Sequence, residues 1–292
     1  MKLHFTKNRA RKRIVQVAIM TCILIFIGVM IFPFAWLLLT SVKHPVEIYG
    51  YPPTLFPKVL TTDNLKAIIT SYDPIQAQRL PIMRELRNSI IVALGVVLIS
   101  LPISVPAAYV VHRSNKRWPK LLMLLVMFIR TVPALSLALP LYQVIRSLGL
   151  LNTNFGLIIA HLTLTVPLAL FLMFIFLRDL PTELEEAAFV DGCTPFGVFW
   201  RVVIPISAPG IAVSAILCFI MSYNEFLFSL VLMATEAGMT LPVGLSMFIM
   251  QSGIQWNLLT AAGVLGIIPL VIFALIVQRF IVQGLTLGAV KG

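Results

Sequence analysis

Six apolar segments constrain this chain more than any other feature of its sequence. The core of a bilayer needs about 20 consecutive, mostly apolar residues in each helix that crosses it. The segments that meet this requirement are residues 14–39, 89–111, 121–142, 155–177, 211–234 and 258–282. None of them alternates polar and apolar residues at period two, which is the pattern of a membrane-spanning β-barrel. The sequence therefore predicts an all-α, polytopic membrane protein with six transmembrane helices.

The placement of charge predicts how these helices are oriented. Hydrophobic residues make up 59% of the chain and charged residues 11%, against roughly 45–50% and about 25% in soluble domains. The net charge is +11, and basic residues concentrate in residues 1–13 and 112–120, neither of which contains an acid. Six spans put both termini on one side of the membrane, and the positive-inside rule makes that side cytoplasmic. The basic balance thus indicates orientation in a lipid bilayer, and we expect no nucleic-acid partner.

One segment between the fourth and fifth spans breaks the pattern of charge. Residues 178–207, here called the acidic hairpin, carry two basic residues and five acids. Thr182 and Glu185 have the spacing of a helix-capping box, and Gly192 stands where a helix commonly ends on a glycine. The first half of the hairpin is therefore predicted to be a capped helix that ends just before Gly192.

The second half of the hairpin is predicted to be another helix. Thr194 can cap its start, Pro195 suits the first helical position, and we expect Pro205 and Pro209 to end it before the next span. Its apolar residues are too many for a free loop; they are Phe196, Phe199, Trp200 and Val203. This aromatic stripe either packs beneath the transmembrane bundle of the same chain or belongs to a docking surface.

The first helix of the hairpin combines small and acidic residues. Ala187 and Ala188 allow another surface to approach closely, while Glu183, Glu186 and Val190 share one face because they lie three and four residues apart. A rigid helical pair with an acidic face indicates a docking element.

At this point the sequence resembles a known family, the permease subunits of ATP-binding-cassette (ABC) importers. These subunits carry a cytoplasmic EAA loop, written as EAA, three residues, Gly, nine residues, then Ile, any residue, Leu and Pro. At the required spacing this chain has Glu186, Ala187, Ala188, Gly192, Val202, Ile204 and Pro205. The resemblance implies a type I permease fold and an ATPase subunit docked on the hairpin. The residues implied in that contact are Glu183, Glu186, Ala187, Ala188, Asp191, Gly192 and Pro205.

Further segments resemble the carbohydrate branch, in particular the smaller permease subunit of maltose-type importers. They are ALPLYQVIRSLGLLNTNFGLIIAH, SYNEFLFSLVL, TLPVGL and the C-terminal QRFIVQGLTLGAVKG. The resemblance implies a second homologous permease subunit, two copies of an ABC ATPase, an extracytoplasmic solute-binding protein and a sugar substrate in a prokaryotic inner membrane. It also implies that the C-terminal tail reaches the ATPase through Gly284, Leu285, Thr286, Gly288 and Lys291.

The chain itself contains no nucleotide-binding motif. The phosphate-cradling pattern GxxxxGK[ST] is absent, as are HExxH and GxSxG. The three cysteines form no CxxC pair and indicate no metal site. We therefore expect a non-catalytic subunit without cofactors, with ATP and Mg²⁺ bound by the partner ATPase.

The domain organisation follows from the spans and the resemblance. We expect a basic cytoplasmic tail at 1–13, a first transmembrane helix at 14–39, an extracytoplasmic loop at 40–83, a permease domain of five helices at 84–283 and a cytoplasmic tail at 284–292. Near the end of the long loop, Arg84 and Arg87 indicate a short interfacial helix before the second span.

Four polar residues at membrane depth are candidates for function. Burying a charge in a bilayer is costly, so such residues face a cavity or a partner. Asn224, Glu225 and Arg130 are the substrate-pathway candidates, with capping or structural hydrogen bonding as the alternative. His161 is interpreted as a structural histidine whose hydrogen bonds are satisfied.

Two groups of alternatives remain open from the sequence. An importer of polyamine, phosphate, amino acid, sugar phosphate or acidic oligosaccharide would share the hairpin, whereas polyamine, phosphate and amino-acid permeases should lack TLPVGL and QGLTLGAVKG. A secondary transporter or channel would work without ATP and would not need an acidic docking hairpin.

Overall fold

The computed structural model describes the backbone of residues 2–73, 78–114, 116–250 and 253–288. Within these residues the regular secondary structure consists of helices and two ladders of two short strands each. The chain forms two compact units. One consists of residues 1–78 and 248–264, and the other of residues 79–247 and 265–292.

The first unit contains the N-terminal helix and the long loop that follows it. Its elements are α1 (Lys2–Ser41), α2 (Pro45–Ile48), α3 (Asp63–Thr70), β1 (Tyr72–Asp73), β3 (Ile249–Met250), β4 (Gly253–Ile254) and the start of α14 (Trp256–Gly288); β2 (Gln78–Arg79), which pairs with β1, lies at the boundary. The buried Asn64 side chain donates hydrogen bonds to the carbonyls of Ser41 (3.0 Å) and Lys43 (2.8 Å). These bonds hold α3 against the end of α1.

The second unit contains the remaining helices. They are α4 (Ile82–Arg113), α5 (Arg117–Ile129), α6 (Ala134–Ser147), α7 (Asn154–Arg178), α8 (Glu183–Val190), α9 (Pro195–Val198), a π-helical turn (Phe199–Val203), α10 (Ile204–Ile206), α11 (Ala208–Tyr223), α12 (Leu227–Leu232), α13 (Leu241–Ser246) and the rest of α14. Helices α4, α7 and α11 pack on one another at its centre. The contact of α4 with α7 is close, because a Cβ on Gly95 would lie 2.6 Å from Ile158 Cδ1.

Two apolar clusters form the core of this second unit. The first, between α4, α6, α7 and α12, consists of Val92, Val96, Ala138, Ile145, Leu157, Ile158, Ala160, Phe228, Leu232 and Met233. The second joins α4, α5 and α7 to the acidic hairpin and consists of Val105, Ala108, Val111, Met123, Leu170, Met173, Leu177, Ala188, Val198 and Val203. The hairpin is therefore built into the core of the unit.

The helices confirm the polytopic α-helical architecture predicted from the apolar segments. Four helices are long and apolar enough to cross a membrane unbroken: Val15–Ser41, Ile82–Arg113, Asn154–Arg178 and Trp256–Phe280. Two bent pairs bring the number to six if each pair is one span: Arg117–Ile129 with Ala134–Ser147, bent by 100°, and Pro195–Ile206 with Ala208–Tyr223, bent by 70°.

The predicted third and fifth spans differ in detail from the structure. Segment 121–142 is interrupted before Ala134, because Pro133 disfavours helical geometry in the residue that precedes it. In segment 211–234 the helix ends at Tyr223, and α12 begins at Leu227.

Two smaller expectations concern the helix ends. Arg84 and Arg87 are helical as expected, but they lie in the first turns of α4 itself, which runs unbroken into the span, rather than in a separate interfacial helix. Gly284, Leu285, Thr286 and Gly288 of the predicted tail continue the backbone helix of α14, whereas Lys291 lies outside the described residues.

Candidate functional site

The acidic hairpin begins differently from the predicted capping box. Thr182 precedes α8 in helical geometry and its side chain makes no capping hydrogen bond. Glu185 is buried and contacts α4 instead: its carboxylate pairs with the Arg113 guanidinium and accepts a hydrogen bond of 3.0 Å from the Tyr109 hydroxyl. The capping-box prediction is wrong because a charge-assisted bond to arginine is stronger than a bond to a neutral backbone N–H.

The turn between the two helices of the hairpin confirms the predicted role of Gly192. Its φ is +83°, in the region that favours glycine. The N–H of Gly192 donates to the Phe189 carbonyl and the N–H of Cys193 donates to the Ala188 carbonyl, both at 3.0 Å. This pair of bonds is a Schellman motif, which satisfies carbonyls at the end of α8.

The second helix starts and ends as predicted. Thr194 Oγ1 accepts a hydrogen bond of 3.2 Å from the Gly197 N–H, and Pro195 occupies the first helical turn. After the π-helical turn the helix passes Pro205 and ends at Ile206, before Pro209, and the next helix, α11, begins at Ala208. Proline cannot donate a backbone hydrogen bond, and a π-helical turn is a local adjustment that changes the bonding pattern before it.

The two faces of the hairpin have different surroundings. On the inner face Ala188, Val198 and Val203 are buried in the core, and the Phe199 ring lies 5.3 Å from the Tyr109 ring between centroids. The outer face exposes three carboxylates, Glu183, Glu186 and Asp191, together with Ala187, Gly192 and Pro205. It also exposes large apolar side chains, namely Leu184, Phe189, Val190, Phe196 and Trp200.

The aromatic stripe is therefore split between the two faces. Phe199 and Val203 pack inward, whereas Phe196 is 73% exposed and Trp200 is 54% exposed. Packing beneath the bundle of the same chain is thus confirmed for Phe199 and Val203, and Phe196 and Trp200 remain exposed. We call the exposed acidic and apolar residues of this face the outer face of the hairpin.

A second group of polar residues lies between the helices of the unit. The Nδ1 atom of His161 on α7 lies 2.8 Å from Ser222 Oγ on α11, and its Nε2 atom lies 3.2 Å from Glu225 Oε2. The Nε2 contact lacks the alignment of a hydrogen bond, so it is an electrostatic contact. We call His161, Ser222 and Glu225 the polar cluster.

Glu225 has a second task at the start of α12. Its two carboxylate oxygens accept the backbone N–H of Phe228, each at 3.0 Å, and one oxygen also accepts from Ser229 at 3.4 Å. Glu225 therefore caps one helix and contacts another. The expectation of a structural histidine with satisfied hydrogen bonds is confirmed at Nδ1 of His161, whereas its buried Nε2 has no hydrogen-bond partner among the described residues.

The other pathway candidates take no part in the side-chain contacts of the polar cluster. Asn224 is exposed and donates a 2.9 Å hydrogen bond back to the Ile220 carbonyl. Arg130 is exposed at the end of α5, beside the 100° bend, and forms no ion pair within the described part of the chain.

Ser222, Tyr109, Arg113 and the buried role of Glu185 were not predicted from the sequence. Ser222 has a weak local signal, because it lies near the end of α11 and only three residues before Glu225. The partnership of Glu185 with Tyr109 and Arg113 has no local signal, because more than 70 residues separate them.

The arrangement of the helices is the fold of a type I ABC importer permease. The chain matches a crystal structure of a bacterial ABC transporter involved in the import of the acidic polysaccharide alginate, with a TM-score of 0.74 and 22% identity, over 91% of this chain and 96% of that chain. It also matches an inward-facing structure of a methionine ABC transporter, with a TM-score of 0.56 and 17% identity, over 75% of this chain and 97% of that chain.

The family follows from the sequence comparison. Residues 100–287 match the family of binding-protein-dependent transport system inner membrane components. This region is more than half of the chain and includes the hairpin and the polar cluster. The chain belongs to this family, and it is a membrane-embedded component of a binding-protein-dependent transport system.

Three relatives resemble the chain over most of its length, each at 35% identity. The sulfoquinovosyl glycerol transport system permease protein of Agrobacterium fabrum aligns over 90% of this chain and 89% of its own. The trehalose transport system permease protein of Mycobacterium tuberculosis aligns over 91% and 94%. The trehalose/maltose transport system permease protein of Thermococcus litoralis aligns over 90% and 92%.

Proposed function

We propose that this chain is the permease subunit of an ABC importer that moves a sugar or oligosaccharide into the cytoplasm by alternating access. The outer face of the hairpin carries this proposal. It exposes Glu183, Glu186 and Asp191 beside Val190, Phe196 and Trp200, while the opposite face of the same hairpin is buried in the core. Large apolar side chains exposed beside carboxylates on a loop between membrane helices indicate a protein-binding surface.

The chemistry of this face fits a basic, partly apolar cleft on an ATPase subunit. Apolar side chains give a docked helix its binding energy, and carboxylates on its rim give it orientation and selectivity. Glu186 pairs with a basic residue of the ATPase, and Ala187 leaves room for that surface to approach. Gly192, Asp191 and Pro205 complete the same exposed edge, and the residues from Gly284 to Lys291 make a second contact with the ATPase.

The proposed function requires further subunits. The chain contains no phosphate-binding loop, so ATP and Mg²⁺ bind to the ATPase, of which the complex holds two copies, and this subunit is non-catalytic. A second homologous permease completes the transport pathway, and an extracytoplasmic binding protein delivers the solute. The hairpin and both termini lie in the cytoplasm, in accord with the positive-inside rule.

Three relatives whose names specify saccharide or saccharide-conjugate transport support a carbohydrate substrate. The exposed Arg130, which has no ion pair among the described residues, makes an acidic saccharide the second candidate. Uptake into proteoliposomes of the complete importer, with radiolabelled trehalose, maltose and an oligouronate, separates the candidates. We expect one of these saccharides to be accumulated in an ATP-dependent manner; uptake of putrescine or phosphate instead would contradict the proposal.

Charge reversal on the outer face tests the docking role. We expect Glu186→Lys to abolish copurification of the ATPase subunit in mild detergent and to abolish ATP-dependent uptake, because the new charge meets a basic cleft. Asp179→Lys is the matched control, because Asp179 is an exposed acid of the same hairpin outside α8. Equal copurification and uptake in wild type and Glu186→Lys would rule out this docking mode.

Removal of the C-terminal tail tests the second contact. We expect deletion of residues 284–292 to reduce the uptake obtained per ATP hydrolysed while the protein still inserts into the membrane. Insertion is checked by expression level and gel filtration. Unchanged uptake per ATP would exclude the tail from coupling.

A further inference from the structure

The three glutamates of α8 divide between two surroundings. Glu183 and Glu186 are exposed, whereas Glu185 is 7% exposed and turns toward α4. A buried carboxylate is costly unless its oxygens are satisfied, and both oxygens of Glu185 have partners: the Arg113 guanidinium and the Tyr109 hydroxyl. Glu185 therefore connects the hairpin to the transmembrane core.

Its partners lie at one end of a long membrane helix. Tyr109 and Arg113 are four residues apart, so their side chains share one face of the last turns of α4. Val105, four residues before Tyr109, lies on the same face, and Ala108 and Val111 of α4 also belong to the apolar cluster that encloses part of the hairpin. The side chains of the ion pair are 10% exposed for Glu185 and 25% exposed for Arg113, so breaking the pair leaves a largely buried charge without its partner.

The hairpin side of this contact is also packed against α4. Ala188, one turn after Glu185 on α8, packs in that apolar cluster, and Phe199 of the π-helical turn packs against the Tyr109 ring. The ring of Tyr109 therefore touches one helix of the hairpin while its hydroxyl binds the other. Both halves of the hairpin are attached to the same short stretch of α4.

Helix α4 can bend just before this attachment point. Pro102 and Pro106 lie inside α4, and a proline within a helix removes a backbone hydrogen bond and permits a kink. A force on the hairpin is then applied to the segment of α4 that follows Pro106.

We infer that Glu185 is a positioning residue that locks the hairpin to the end of α4, so that the two move as one body when the ATPase moves. The inference rests on the proposed function, since the ATPase supplies the movement. Glu183 and Glu186 bind the ATPase, and Glu185 transmits the movement of the ATPase from the hairpin to α4. Without the lock, the hairpin moves while α4 stays behind.

A distance measurement tests this inference in the complete complex. Spin labels are attached at Thr182→Cys, directly before α8, and Val110→Cys on α4, both at exposed positions outside the outer face of the hairpin, after the native cysteines are replaced by serine. The distance is measured by electron paramagnetic resonance without nucleotide and after trapping with ATP and vanadate. We expect the distance to stay constant in the background protein and to shift and broaden on trapping in Glu185→Gln.

Matched variants separate the lock from a general effect of charge. Asp179→Asn removes a carboxylate from an exposed ion pair of the same hairpin, and we expect it to leave the distance unchanged in both states. Arg113→Lys keeps the charge but loses the planar fork, and we expect it to broaden the distance distribution as well. A distance in Glu185→Gln that is the same before and after trapping would overturn the inference.

Amide hydrogen exchange tests the contact between Glu185 and α4 in the absence of the ATPase. We expect exchange in α8 to be about tenfold faster in Glu185→Gln than in wild type, because a buried group loses its charged partner. Unchanged protection of α8 would also overturn the inference. Loss of ATPase copurification in Glu186→Lys concerns the proposed function alone, so the two ideas fail on different measurements.

Discussion

The acidic hairpin and the polar cluster both place carboxylates in a chain that has few of them, yet they use them in opposite ways. The hairpin turns Glu183 and Glu186 to its exposed face, where water solvates them until a partner binds. The cluster keeps the Glu225 side chain 9% exposed, with backbone N–H groups and His161 as its partners.

The difference shows that surroundings rather than residue type decide what a glutamate does here. An exposed carboxylate contributes little to the stability of a fold and is free to select a partner. A buried carboxylate stabilises the fold only while its partners stay in place, so it ties helices together. Glu185 belongs to the second kind although it lies between two residues of the first kind.

The largest expected effect is the loss of the Glu225 carboxylate. We expect Glu225→Ala to lower the free energy of unfolding by about 3 kcal/mol, because α12 loses its cap and His161 loses a partner. Unfolding in mixed micelles measures the change. Glu186→Ala is the exposed counterpart and should change stability by less than about 0.5 kcal/mol; similar losses in both variants would erase the distinction between the two regions.

A smaller effect is expected at the turn of the hairpin. Gly192 has a positive φ, and a Cβ added there would meet no atom within 4 Å. We expect Gly192→Ala to destabilise the hairpin by about 1.5 kcal/mol for conformational reasons alone. Faster amide exchange confined to α8 and α9 reports this change, and Gly192→Asn should restore part of the protection. Equal protection in the alanine variant and wild type would contradict the prediction.

The smallest expected effect distinguishes the two helix starts of the hairpin. We expect Thr194→Ala to destabilise α9 by about 1 kcal/mol, because Thr194 accepts a hydrogen bond from Gly197. Thr182→Ala should have almost no effect, because Thr182 caps nothing. Amide exchange of α8 and α9 compares the two variants, and a larger loss in Thr182→Ala would mean that the capping box forms after all.

Much of the hairpin could be predicted because its signals are local. Gly192, Thr194 and Pro195 act on residues within a few positions of themselves, so their spacing alone predicts a turn and a helix start. The prediction of a capping box was wrong because of a contact with a residue far away in the sequence. Thr182 and Glu185 had the correct spacing, but the arginine at the end of α4 competed successfully for the carboxylate.

The apolar segments likewise predicted the kind of membrane helices, and their number of six if each bent pair is one span, but the breaks were harder to predict. Pro133 interrupts the third segment, whereas Pro167 lies inside the unbroken α7. Proline is common in membrane helices, and its local effect depends on whether neighbouring groups satisfy the freed carbonyls. The sequence alone does not show which groups lie next to the freed carbonyls.

The sequence by itself determined the membrane-helix architecture, the start of the second hairpin helix and the glycine turn, because hydrophobic length and local hydrogen bonding depend on nearby residues. Only the tertiary structure decided that Glu185 faces α4 while Glu186 stays exposed, and that His161 meets Ser222 and Glu225. These pairings join residues about 60 to 76 positions apart. Their geometry depends on how the helices pack, because a carboxylate takes the strongest partner that the fold brings within reach.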